Sequence, residues 1–301
     1  PSCSRLLGNV ARNWRGAGTW RQLRCDRLEC AMLLTSIVTL FLCGDVMSGR
    51  GIDQILAHPS DPEIFEPYVR DARDYVALAE RSSGPIPSPV SPAYIWGDGL
   101  AELERIEPDL RIINLETAIT TSDTPWPGKG IQYRMHPGNI SLLTAAQVDC
   151  CVVANNHVLD WEYAGLAETT ATLRTARIQS AGAGSSREEA RKAAIFPVAS
   201  GRVIVIAAGT ESSGIPRGWA AGEDVPGVHL LSELSLESAR RLARQIRLIE
   251  RPGDVVVVSI HWGSNWGYHV PHAHRRFAHM LIDEAGVDVV HGHSSHHARG
   301  V

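Results

Sequence analysis

Short apolar runs, repeated along the chain and rich in Val and Ile, constrain the fold more than any other feature. They are Ser36–Cys43, Leu110–Leu115, Asp149–Ala154, Arg202–Ala208, Asp254–Ile260 and Val287–His291. Near-continuous hydrophobicity of this kind marks strands covered on both faces. Helical patterns lie between them, at Asp71–Arg81, Gly99–Ile106, Asn139–Ala146, Tyr163–Ala176, Ser232–Ile249 and Ala273–Ala285. Alternation of strand and helix predicts an α/β architecture. The Pro/Ser-rich stretch Ser82–Pro92 reads as a loop that could serve as a lid or an edge connection.

The first apolar run has to be told apart from a membrane anchor. Ala31–Cys43 follows a basic segment, yet it is shorter than the ~20 apolar residues of a span. It also continues without a break into Gly44-Asp45, so it is expected to be a core strand, and no transmembrane anchor is expected. Residues 1–31, rich in Arg, Trp and Cys, are expected to be disordered or to be non-native upstream sequence. That leaves residues 32–301 as the domain. The net charge of −4 conceals an excess of arginine in 1–31 and an acidic remainder. An acidic body argues against a nucleic-acid partner, because phosphate neutralisation needs a basic surface. The six cysteines form no CxxC pair, and no disulfide framework is expected. The expected location is cytoplasmic, with the cell envelope as the alternative.

Polar, metal-competent residues stand just past five of the strand ends. Asp45 follows the first strand, Asn114 and Glu116 the second, and Asn155, Asn156, His157 and Asp160 the third. His261 follows a later strand, and His291, His293, His296 and His297 the last. Open α/β sheets gather their sites at the carboxyl ends of strands, so these loops should converge. Carboxylate, carboxamide and imidazole together fit a transition-metal pair such as Mn, Fe or Zn, whereas Ca or Mg would favour oxygen alone. A neighbouring histidine can protonate a leaving group. Arg134 could hold a carboxylate or phosphate with its fork, or be a solvated loop residue. Trp262, Trp266 and Tyr268 could line a substrate pocket or simply pack. His269, His272, His274 and His279 are expected on an exposed loop and helix, without a role.

The ordered blocks Gly44-Asp45, Asn114-Leu115-Glu116, Asn155-Asn156-His157 with Asp160, His261-Trp262-Gly263 and Gly292-His293 with His296 resemble the CapA (poly-γ-glutamate capsule synthesis) family of calcineurin-like metallophosphoesterases. The resemblance implies a layered α-β-β-α sandwich and two divalent ions. Asp45 and Glu116 would ligate as carboxylates, Asn156, His261 and His293 would serve the second metal, and His296 would return to the first. His157 would be the general acid, oriented by Asp160. Three departures stand out. Met47 occupies the place of the histidine in the classical Asp-x-His, Glu116 replaces an aspartate, and Ser264–Tyr268 lacks the Glu-Tyr pair common after the His-Trp-Gly block. The closing strands are also missing, so the domain is expected to be C-terminally truncated. The function implied is a metal-dependent hydrolase of a phosphoester or similarly anionic bond, in a small molecule or polymer. The alternatives are non-catalytic binding or export of a polyanion such as poly-γ-glutamate, and a chain that binds no metal.

Overall fold

The computed structural model describes residues 37–199 and 201–299. The segment 1–31, expected to stand apart from the domain, lies outside them. Four strands, β1 (Leu40–Val46), β2 (Leu110–Leu115), β3 (Cys150–Val152) and β4 (Gln179–Ala181), form a parallel sheet in that order. A second sheet contains β5 (Ala194–Val198), β6 (Gly201–Thr210), β7 (Leu230–Leu231), β8 (Val255–His261) and β9 (Val289–His293). Within it β6, β8 and β9 run parallel and adjacent. The other edge of β6 is shared by β5, which returns antiparallel, and by the short parallel β7.

Side-chain alternation explains the layering, because successive residues of a strand face opposite sides. Ile112, Val203, Val205, Ala207 and Val257 share one buried cluster with Cys150 and Val152, which places that cluster between the sheets. The neighbours Ile113, Leu115, Cys151 and Val153 face away from it, toward Leu166 and Leu173 of the helix Glu162–Thr175. On the far side Ile204, Ile206, Ala208, Val256, Val258 and Ile260 meet two helices. Helix Leu236–Arg247 contributes Leu242 and Ile246, and helix His272–Ala285 contributes Phe277 and Leu281. The order is helix, sheet, sheet, helix. Each fully buried aliphatic side chain stabilises this sandwich by roughly 1.5–3 kcal/mol before chain entropy is counted. Gly182 marks a close approach of the sheets: its φ is +103°, and a Cβ there would stand 2.6 Å from the Ala154 Cβ and 2.9 Å from the Ala207 Cβ.

Three strands, β4, β5 and the two-residue β7, do not stand out in the sequence. The first is short and polar, and the second carries Pro197, which an edge strand tolerates because it need not donate there. The first apolar run shifts along the chain: the strand is Leu40–Val46, so it extends through Asp45. Two registers position the polar strand ends. Cys43 pairs with Ile113 while Asp45 pairs with Asn114, so a bulge at Gly44 sets Asp45 beside Asn114. On the other sheet His261 pairs with His293. No helix among the described residues is long and apolar enough to cross a membrane.

Candidate metal centre

The strand ends bring their polar residues together. Asp45, His261 and His293 form one group of potential metal donors, and Asp45, Glu116 and His296 form another; within each group the ligand atoms lie within 4.8 Å of one another. Asp45 belongs to both. His261 Nδ1 and His293 Nδ1 are each 3.7 Å from Asp45 Oδ1 and 2.8 Å from one another. The Asn156 Oδ1 lies 2.9 Å from His261 Nε2, which is itself 3.8 Å from Glu116 Oε1. All of these residues except His296 are at least partly buried, and His293, His261 and Glu116 are almost wholly so.

A scaffold of hydrogen bonds aims these groups. The Asn114 Nδ2 donates to Asp45 Oδ1 at 2.8 Å, and Asn155 Nδ2 donates to Asn114 Oδ1 at 3.0 Å and to the Leu115 carbonyl at 2.8 Å. The His157 backbone N–H in turn donates to Asn155 Oδ1 at 3.0 Å, so the first three strand ends are tied into one network. The Ser259 hydroxyl lies 2.9 Å from His293 Nε2 and 3.0 Å from His291 Nδ1. If Ser259 takes the His293 Nε2 proton and Asn156 takes that of His261 Nε2, both Nδ1 lone pairs face Asp45. An outer hydrogen bond of this kind fixes which nitrogen is free to ligate.

Electrostatics follow from burial. Burial, and then the adjacent Asp45 charge, push Glu116 up to about 9. Burial also raises Asp45. Burial holds His261 down to about 3 and, with His261 and His291 beside it, holds His293 well below the ordinary imidazole range. These crowded carboxylates and unprotonated imidazoles form a donor set that a bound cation would keep ionised and free to ligate. The Asp45 Oδ2 is buried with no hydrogen-bond partner, so the donor set has an unsatisfied oxygen where a cation would be bound. The residues present therefore fit divalent metal, and their mixture of oxygen and nitrogen donors fits a transition ion.

Beside this cluster stands a dyad. His157 Nδ1 lies 2.7 Å from Asp160 Oδ2, and its Nε2 faces Glu116 Oε1 at 3.8 Å. The second Asp160 oxygen is 2.6 Å from Lys129 Nζ, which also lies 3.2 Å from His157 Nδ1 and donates to the Ile131 carbonyl at 2.6 Å. The Tyr133 ring stacks on His157 at 3.8 Å between centroids, and the Tyr133 N–H donates to Asp160 Oδ2 at 2.6 Å. Burial lowers the His157 imidazole despite Asp160 beside it.

The remaining sequence candidates are not among the clustered donors. The Arg134 guanidinium lies 4.0 Å over the Trp161 ring and donates to the carbonyls of Ser122 and Asp61 at 2.7 and 3.1 Å, so its fork is spent on the fold. Trp262 stacks on His274 at 4.6 Å and meets Phe277 edge-on, packing under the helix His272–Ala285. His274, expected to be exposed, is 6% exposed because of that stack. Tyr268 is 79% exposed and touches His297, and Trp266 is 70% exposed with its ring edge-on to His296. Met47 accepts a hydrogen bond at its sulfur from the Gly49 N–H.

Lys129, Tyr133 and Ser259 have positions in the site that sequence reasoning did not assign. Ser259 had a readable signal, since Ser259 and His261, like His291 and His293, are polar residues two apart in otherwise apolar strands. Lys129 and Tyr133 had none.

A family model described as bacterial capsule synthesis protein PGA_cap matches residues 39–301. A probable polyglutamine synthesis accessory protein of Mycobacterium tuberculosis is 50% identical over 267 residues, which cover 88% of this chain and 70% of that one. The PGA biosynthesis protein CapA of Bacillus subtilis is 24% identical over 261 residues, covering 86% of this chain and 58% of that one. With these matches, and with five strand-end blocks meeting in a sandwich of two sheets between helices, the chain belongs to the CapA-like bacterial capsule synthesis (PGA_cap) family and has its metallophosphoesterase-like fold.

Proposed function

We propose that this chain is a metal-dependent hydrolase that acts on a phosphoester or similarly anionic bond. One observation carries the reading: two donor groups share Asp45, and a histidine held by a buried carboxylate stands against them. Asp45, His261 and His293 would hold one divalent ion, with Asn156 fixing the His261 ring from outside, and Asp45, Glu116 and His296 would hold the other. Bound there, the ions would supply Lewis-acid charge that draws in and polarises an anionic substrate group.

The chain's own residues do the rest. Asn114 orients Asp45, and Ser259 holds His293 with Nδ1 toward the cluster. His157 keeps its Nδ1 proton on Asp160 and is left with Nε2 as the atom that exchanges a proton with substrate. In the cleavage step a water oxygen bonds to the phosphorus as the bond to the leaving oxygen breaks, Nε2–H passes its proton to that oxygen, and the proton released by the water returns to Nε2. Lys129 balances the Asp160 charge, and the Tyr133 ring covers one face of the imidazole and limits water there. The substrate could be a small molecule or a polymer. The names of the relatives tie them to polyglutamine and PGA synthesis, and the family is described by capsule synthesis, so an anionic capsule polymer or its precursors are the first compounds to assay.

The test is turnover of an aryl phosphodiester by manganese-loaded protein, with Asp45→Asn and His157→Ala variants. The reading expects both to lose at least about a hundredfold in kcat, in the range of a lost general acid. Undiminished rates in both variants would refute it. Tight binding of oligo-glutamate without any turnover would instead support a polymer-binding accessory role.

A further inference from the structure

Arg50 follows Asp45 in the loop that leaves β1, where it opens the one-turn helix Arg50–Gln54. Its φ is +50°, a left-handed backbone that costs an arginine some strain. The side chain is held from three directions. Its Nε donates to Glu66 Oε1 at 2.5 Å, and the Tyr75 hydroxyl donates to the other Glu66 oxygen at 2.5 Å, so that buried carboxylate is fully engaged. The guanidinium carbon lies 4.9 Å from the Tyr75 ring centre and 4.7 Å from that of Tyr133. Tyr133 is the ring that stacks on His157, so guanidinium and imidazole share one tyrosine.

An arginine has five N–H donors. Arg50 spends only Nε–H on the protein: among the described residues no acceptor meets its Nη1 or Nη2, and 21% of the side chain is exposed. Arg134 makes the contrast, since both of its Nη nitrogens are taken by carbonyls. A strained backbone, a dedicated buried carboxylate and two aromatic contacts are more than a surface charge needs. They hold a planar fork in a fixed place with its ends open.

We infer that Arg50 is an anion clamp whose Nη1 and Nη2 grip two oxygens of a phosphate-type group presented to His157 and the clustered donors. The inference rests on the hydrolase reading for the identity of that group. The clamp itself rests on the fork's geometry, which suits bidentate capture of oxyanions.

Inorganic phosphate is the probe, titrated calorimetrically into the full chain with manganese and again after chelation. Arg50→Gln should weaken phosphate binding about tenfold or more, and Arg50→Lys should fall between, since it keeps the charge and loses the fork. Metal content should not change. Because Arg50→Gln strands the buried Glu66, the double variant Arg50→Gln/Glu66→Gln is measured beside it. A folded double variant that binds phosphate within about twofold of wild type, the level of an unaltered site, overturns the clamp. If the wild type turns over an aryl phosphodiester and Arg50 variants match it in KM and phosphate affinity, the clamp fails and the hydrolase reading stands. If nothing is hydrolysed but phosphate binding still depends on Arg50, the hydrolase reading fails and the clamp stands.

Discussion

Replacing Asp160 by asparagine strikes the site where its electrostatics are most concentrated. The side chain is wholly buried, and three donors converge on it: Lys129 Nζ at 2.6 Å, His157 Nδ1 at 2.7 Å and the Tyr133 N–H at 2.6 Å. An asparagine has one acceptor oxygen for these donors and turns an NH2 group toward one of them. The Lys129 side chain, only 16% exposed, would be left as a cation without its anion. Breaking a buried pair from one side costs about 3–5 kcal/mol, most of it from the stranded charge. Urea denaturation at neutral pH should therefore show the midpoint falling by that equivalent at an unchanged m-value. Lys129→Met tests the cause. If the stranded ammonium carries the cost, the double variant should lose less than the sum of the singles, with a coupling of about 1.5 kcal/mol or more. A loss below about 1 kcal/mol for Asp160→Asn, or strict additivity within about 0.5 kcal/mol, would refute the ion pair as the anchor of this loop.

Three more perturbations have defined outcomes. Gly182→Ala should destabilise by about 1–3 kcal/mol or more in the same assay, since its Cβ would enter the space between Ala154 and Ala207 at a positive φ. Ser259→Ala should weaken metal binding about 10–100-fold, read by competition with a chelator, because the His293 ring loses its outer partner. His229 is held down to about 4 by burial against an ordinary 6.5, with Nδ1 2.9 Å from the Ala207 carbonyl. The unfolded chain then binds a proton that the folded chain refuses. Stability should be lost as pH falls from about 6.5 to about 4, by roughly 3 kcal/mol from this residue, and His229→Gln should remove that part of the slope. A slope unchanged in His229→Gln would sink that assignment.

The fold was legible because its strands are buried on both faces and therefore read as continuous apolar runs. Leu110–Leu115 and Gly99–Ile106 carry the same limits in sequence and structure. The strand-end blocks were legible for a related reason: a polar residue that ends an apolar run has few places to point except past the sheet edge. The direction of a side chain within a loop or a two-residue strand is not written locally. Arg134 sits in such a strand, Arg134–Met135, and its fork turns to Trp161. Lys129 lies in a turn without any period, and its pairing with Asp160 depends on how two loops meet. Arg50 sits one residue beyond Gly49, whose Cβ would press on the Arg134 backbone at 3.0 Å, a contact that only the assembled chain reveals. Long-range register, and not composition, decides these.

Metal content is the most direct measurement. The full chain, loaded with excess manganese and then desalted, should retain from one to about two equivalents by elemental analysis, and Asp45→Asn, which touches both donor groups, should lose most of it. Retention below about half an equivalent in the wild type, or equal retention in Asp45→Asn, would contradict a cation site built from these strand ends.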